Sequence, residues 1–134
     1  MPVLYSIVES PTHPRLSDLY RRLGLDEQRF PSQRKALQAL KRARSGSAPD
    51  WVVAEFFYGF GNNYAGANVC NLDVFLASLQ KYAPRARVIV LVAKDQETHV
   101  SKLAARFPLH AVLTQPVDEA RVAALLAAGE QAIP

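Results

Sequence analysis

The sequence predicts a doubly wound α/β domain: a five-stranded parallel sheet, order 2-1-3-4-5, with helices on both faces. Three observations carry this. Apolar, β-favouring runs alternate with stretches of helical spacing along the whole chain. The strongest run, Val88 to Val92, is apolar at every position, as expected of a strand covered on both faces. The chain's 134 residues, 49% of them hydrophobic and 21% charged, suit one compact domain with one core. Right-handed crossovers and this chain length then select the strand order.

The first strand is expected over Val3 to Val8. Thr12 is placed to cap a helix with Pro14 in its first turn; Leu16, Leu19, Tyr20 and Leu23 follow helical spacing, and Gly24 ends it. Gln28 to Phe30 is assigned as a strand only because the alternation needs one there. Ser32 opens a second helix with Ala36, Leu37, Ala39 and Leu40 inward. Ser45-Gly46-Ser47-Ala48-Pro49 is a turn-rich break before the strand Trp51 to Phe57. A helix follows over Leu72 to Tyr82, burying Leu72, Phe75, Leu76 and Leu79. Beyond Val88–Val92, Asp95 is expected to cap a helix carrying Val100, Leu103, Ala104 and Phe107. Leu109 to Leu113 is the last strand, and Asp118 caps a closing helix with Val122, Leu125 and Leu126 inward.

Several functions are set aside by composition. The apolar run Val88–Ala93 is far below the roughly 18 residues of a membrane span, and MPVLYSIVES has no basic start or long apolar stretch of a signal peptide. A single cysteine, Cys70, forms no internal disulfide, so a cytoplasmic location is expected. Cys70 has no histidine placed beside it by any motif, and His13, His99 and His110 are scattered; no Cys/His metal spacing exists. The net charge of +4 raises nucleic-acid binding. The basic residues gather early, at Arg15, Arg21, Arg22, Arg29, Arg34, Lys35, Lys41, Arg42 and Arg44. Most fall on polar helix faces without interleaved aromatics, which favours solvated surface over a single-strand binding groove.

Function in such sheets usually sits at the carboxyl ends of the strands. Those ends carry a family pattern. Pro49-Asp50-Trp51-Val52-Val53-Ala54-Glu55, Arg87 to Ala93 (RVIVLVA), Leu113-Thr114-Gln115-Pro116-Val117 and Ser6-Ile7-Val8-Glu9-Ser10 stand in order at suitable spacing. Together they resemble the receiver domain of two-component response regulators, a flavodoxin-like fold. The resemblance spans the chain and implies a signalling role. It also implies an acidic pair holding Mg²⁺, an acceptor Asp, a hydroxyl and a Lys, which together neutralise charge on a transferring phosphoryl group.

Each of those positions departs from the pattern. Glu9-Ser10 keeps one carboxylate of the pair; Glu55 stands at the acceptor, Val92 at the hydroxyl and Gln115 at the lysine. Val112 lies where that family commonly has an aromatic residue. A degenerate receiver, non-enzymatic and without cofactor or metal, is therefore expected to act through a protein partner, independently of phosphorylation. The alternatives are a working phosphoacceptor with unusual residues and nucleic-acid binding through the basic first half. Glu9 and Glu55 are close enough in the expected fold to hold a stray cation weakly.

Between the third strand and its helix, FFYGFGNNYAGANVCN, Phe56 to Asn71, is long for a βα connection and carries no charge. Phe57, Tyr58, Phe60 and Tyr64 make it a candidate recognition loop or a lid over the degenerate pocket. Gly59-x-Gly61 fits neither a P-loop nor a dinucleotide fingerprint. Self-association would use the last helix and strand, as the resemblance implies. The initial Met and short tail suggest a complete small protein.

Overall fold

The computed structural model describes residues 2–11, 13–43, 47–58 and 72–131, with side chains through residue 127. Five parallel strands form one sheet: β1 (Val3–Ile7), β2 (Asp26–Phe30), β3 (Trp51–Glu55), β4 (Arg87–Val92) and β5 (Ala111–Thr114), in the order β2-β1-β3-β4-β5. The helices are α1 (Ser17–Arg22), α2 (Gln33–Arg42), α3 (Asp73–Tyr82), α4 (Glu97–Ala104) and α5 (Glu119–Gln131). The expected architecture and strand order are both present.

The two faces of the sheet build two cores. Side chains alternate across a strand, so Val3, Tyr5, Ile7, Val52, Ala54, Val88, Val90 and Val92 pack with Ala36 and Leu40 of α2, Phe75, Leu76 and Leu79 of α3, and Leu103 of α4. Leu4, Trp51, Val53, Ile89, Leu91 and Leu113 pack on the other face with Leu19 and Tyr20 of α1 and Val122 and Leu126 of α5. The central strands are buried at nearly every position, which is why their sequences read as continuous apolar runs.

Some local expectations are corrected. β2 is a full strand although its residues, DEQRF, are polar: it lies at the sheet edge, pairs with β1 alone and keeps its side chains exposed or half-buried. Charged residues there guard the open edge against further pairing. The first helix begins at Ser17, not after Thr12, and Pro14 is outside it. Glu9, Ser10 and His13 are instead drawn to the end of β3, as described below; Thr12 itself lies outside the described residues. Asp95 sits within one turn of 3-10 helix, Lys94–Gln96, and α4 starts two residues later with no side-chain cap. β3 ends at Glu55, because the next residues turn toward α4. β1 ends at Ile7, and β5 starts at Ala111, two residues later than expected.

Other caps form as read. Ser32 Oγ accepts from Lys35 N at 3.2 Å, and Asp118 Oδ1 accepts from Ala120 N at 3.0 Å. Among the described residues no helix is long and apolar enough to cross a membrane.

Candidate functional site

The carboxyl ends of the strands bring the expected positions to one edge. Glu9 and Ser10 follow β1, Glu55 closes β3, Val92 closes β4 and Gln115 follows β5. Strand pairing fixes this: Ile7 lies beside Ala54, Glu55 beside Leu91 and Val92 beside Thr114.

Glu55 is the centre of the arrangement and is only 1% exposed. Its Oε1 accepts hydrogen bonds from the backbone N–H groups of Glu9 and Ser10, both at 3.1 Å. Its Oε2 accepts from the Ser10 hydroxyl at 2.5 Å. Nδ1 of His13, itself buried, lies 3.3 Å from Oε1, an ion-pair contact when the imidazole is protonated and not a well-aligned hydrogen bond. Burial by itself pushes the Glu55 carboxyl up. The His13 and Ser10 side chains and the Glu9 N–H more than offset that and hold it below its ordinary value of 4.5.

Glu9 joins this cluster through its backbone. Its carboxylate points elsewhere, with Oε2 accepting from Gln33 N at 3.3 Å in the first turn of α2. Among the described residues no three His, Cys, Asp or Glu side chains are grouped to hold a metal ion. Sequence reasoning missed His13, and no spacing rule could have found it, because only the fold brings residue 13 to residue 55.

No protein-family model matches the sequence, and no curated protein matches it. Solved structures do match. A response regulator receiver domain protein from Clostridium thermocellum is 16% identical with a TM-score of 0.69, over 98% of this chain and 96% of that one. A response regulator receiver protein from Burkholderia phymatum is 20% identical with a TM-score of 0.66, over 95% of this chain and 96% of that one. An uncharacterized protein from Neptuniibacter caesariensis is 21% identical with a TM-score of 0.74, over 97% of this chain and 87% of that one.

The fold is that of a receiver domain.

In this receiver fold, Val92 is fully buried and presents only methyl groups, so its side chain offers no hydrogen bond. Its carbonyl accepts from Gln115 N at 2.8 Å, which fixes the start of the segment after β5. The nearest hydroxyl in register, Thr114, donates to Glu97 Oε2 of α4 at 2.7 Å. Val112 is 36% exposed on the outer strand.

The candidate loop is described only at its start. Phe57 is half-buried and Tyr58 is 41% exposed; Phe60, Tyr64 and Cys70 lie outside the described residues. Tyr58 is fixed against α4. Its N–H donates to Gln96 Oε1 at 3.1 Å, and its ring stacks on His99 with centroids 3.7 Å apart and planes 10° apart. Lys102 Nζ lies 5.0 Å from the ring centroid and donates to the phenol oxygen at 3.3 Å. The result is an aromatic, cationic patch beside the strand ends, held by contacts with the side chains of Gln96, in the 3-10 turn, and of His99 and Lys102 in α4.

Proposed function

We propose that this chain is a receiver-fold interaction module of bacterial two-component signalling that binds a protein partner without being phosphorylated. The observation that carries the reading is the state of Glu55. A phosphoacceptor carboxylate needs a free oxygen aimed at the incoming phosphoryl group, and a cation nearby to neutralise charge. Here one oxygen takes two backbone N–H groups and the other takes a hydroxyl, and the Glu55 side chain is itself buried.

The surroundings support the same conclusion. Val92 supplies no donor for a phosphoryl oxygen, and Gln115 supplies no charge. A partner is more readily met by the Tyr58 patch, where a large aromatic side chain is exposed and already ordered.

Titration of the labelled protein with beryllofluoride and Mg²⁺, followed by amide chemical shifts, tests the reading. The shifts of Glu9, Ser10, Glu55 and Val92 are expected to stay in place. Saturable movement of those amides, absent in Glu55→Gln, would establish a working phosphoacceptor instead.

A further inference from the structure

The outer face of α2 carries charge that the fold does not use. Its ten residues, QRKALQALKR, hold four cations and no acid. Ala36 and Leu40 are buried against the sheet, while Arg34, Lys35, Gln38, Lys41 and Arg42 are exposed. At helical geometry these five side chains fall within an arc of about 120°. Arg34 and Lys41 stand two turns apart, as do Lys35 and Arg42, each pair separated by roughly 10 Å along the axis. The face is a two-row cationic stripe with an amide, Gln38, between the rows.

This stripe is uncompensated. Among the described residues none of its four cations forms an ion pair, whereas Arg22 and Arg106 reach Glu119 and Asp73. Arg34 and Lys35 stand in the first turn of α2, where the helix dipole disfavours positive charge; the turn's own residues include no acid, although the Glu9 carboxylate accepts from Gln33 N at that end. Arg34 and Lys35 thus stand against the helix dipole, whereas Lys41 and Arg42, in the last turn, complement it; among the described residues none of the four is paired with an acid.

We propose that the outer face of α2 docks an acidic protein segment, a helix whose carboxylates repeat every two turns to meet the Arg34/Lys41 and Lys35/Arg42 pairs. This rests on reading the chain as a protein-interaction module. Nucleic acid fits the face less well. α2 lies flat on the sheet with α3 packed beside it, so it is not free to enter a groove roughly 8 Å deep. α2 contains no aromatic residue on which a base could stack. Arginine and lysine in paired rows, with a hydrogen-bonding amide between, match carboxylates at fixed helical spacing.

Amide chemical shifts of the full chain, titrated with three probes, test the proposal. The probes are a helical peptide with glutamates at seven-residue spacing, a peptide of the same composition in scrambled order, and duplex DNA. The spaced peptide is expected to move the amides of residues 34–42 and to bind about tenfold more tightly than the scrambled one. Arg34→Glu combined with Lys41→Glu should abolish its binding, and a peptide with lysines in place of the glutamates should then bind. Far-ultraviolet circular dichroism checks that the variant is folded. Equal binding of the scrambled peptide, tighter binding of DNA, shifts centred elsewhere or no binding would each overturn the proposal. Repeating the titration after acetyl phosphate treatment separates the two readings: a phosphorylated product would defeat the phosphorylation-independent reading and leave the α2 map to be judged by itself.

Discussion

Glu55 shows how one side chain sets the character of the strand ends. An isolated buried carboxylate is costly, and this one remains ionised because N–H and O–H donors and a histidine replace its water. Its pKa lies below 4.5 in the folded state, so the folded form binds its proton more weakly than the unfolded chain. The corresponding stability is fully present above that unfolded value and is lost as pH falls through the folded pKa. Chemical denaturation across acidic pH should show wild type losing stability below about pH 4.5, with Glu55→Gln much flatter in the same window. At neutral pH Glu55→Gln should be less stable by about 1–3 kcal/mol, since it leaves the Glu9 and Ser10 donors imperfectly met. A second buried group predicts the opposite sign. The Tyr20 hydroxyl is buried and has no hydrogen-bond partner among the described residues, and its pKa is pushed up by burial and then by the charge of Glu27. Removing it in Tyr20→Phe should leave the melting temperature unchanged or raise it. Of these residues, Glu55 was legible from the strand-end pattern. Its partner His13 was not, because the contact depends on how the chain turns after β1.

At the scale of elements, the helices and strands differ in how openly the sequence declares them. α2 was readable from its cap and apolar spacing, and Ser32 does accept from Lys35 N. Ser32→Ala should therefore cost about 1 kcal/mol in thermal or chemical unfolding, and Ser32→Asp should restore most of it. β2 was barely readable: an edge strand needs neither apolar alternation nor burial, so DEQRF carries no periodic signal and its place is set by β1. The late start of α1 was hidden for a related reason. Thr12 and Pro14 are good helix-start residues locally, but the preceding segment is committed to Glu55 through Glu9, Ser10 and His13, and His13 N donates to Ser10 O at 3.2 Å in a turn. The segment after β3 is anchored at Tyr58 by the His99 stack and the Gln96 side chain. Tyr58→Ala should lower stability by no more than about 1 kcal/mol, because the side chain lies at the surface, 41% exposed, while weakening any partner that reads this patch. A loss of several degrees with normal binding would make Tyr58 a structural anchor only.

At the scale of the whole molecule, the fold was the most legible property. Strands apolar at every position require cover on both faces, and the structure supplies it as two cores on a single parallel sheet. Leu91 is fully buried in the core formed with α1 and α5, and Leu91→Ala should cost about 2–5 kcal/mol in a cooperative unfolding transition. The functional consequence of the fold was less legible, because receiver-like topology brings the same strand ends together whatever side chains they carry. What the ends carry here is an enclosed carboxylate, an apolar wall at Val92 and an uncharged Gln115. The central claim, a receiver fold that works without phosphoryl transfer, is tested most directly by intact mass spectrometry after incubation with acetyl phosphate and Mg²⁺. The account predicts a single species at the unmodified mass; a species heavier by one phosphate, absent in Glu55→Gln, would contradict it.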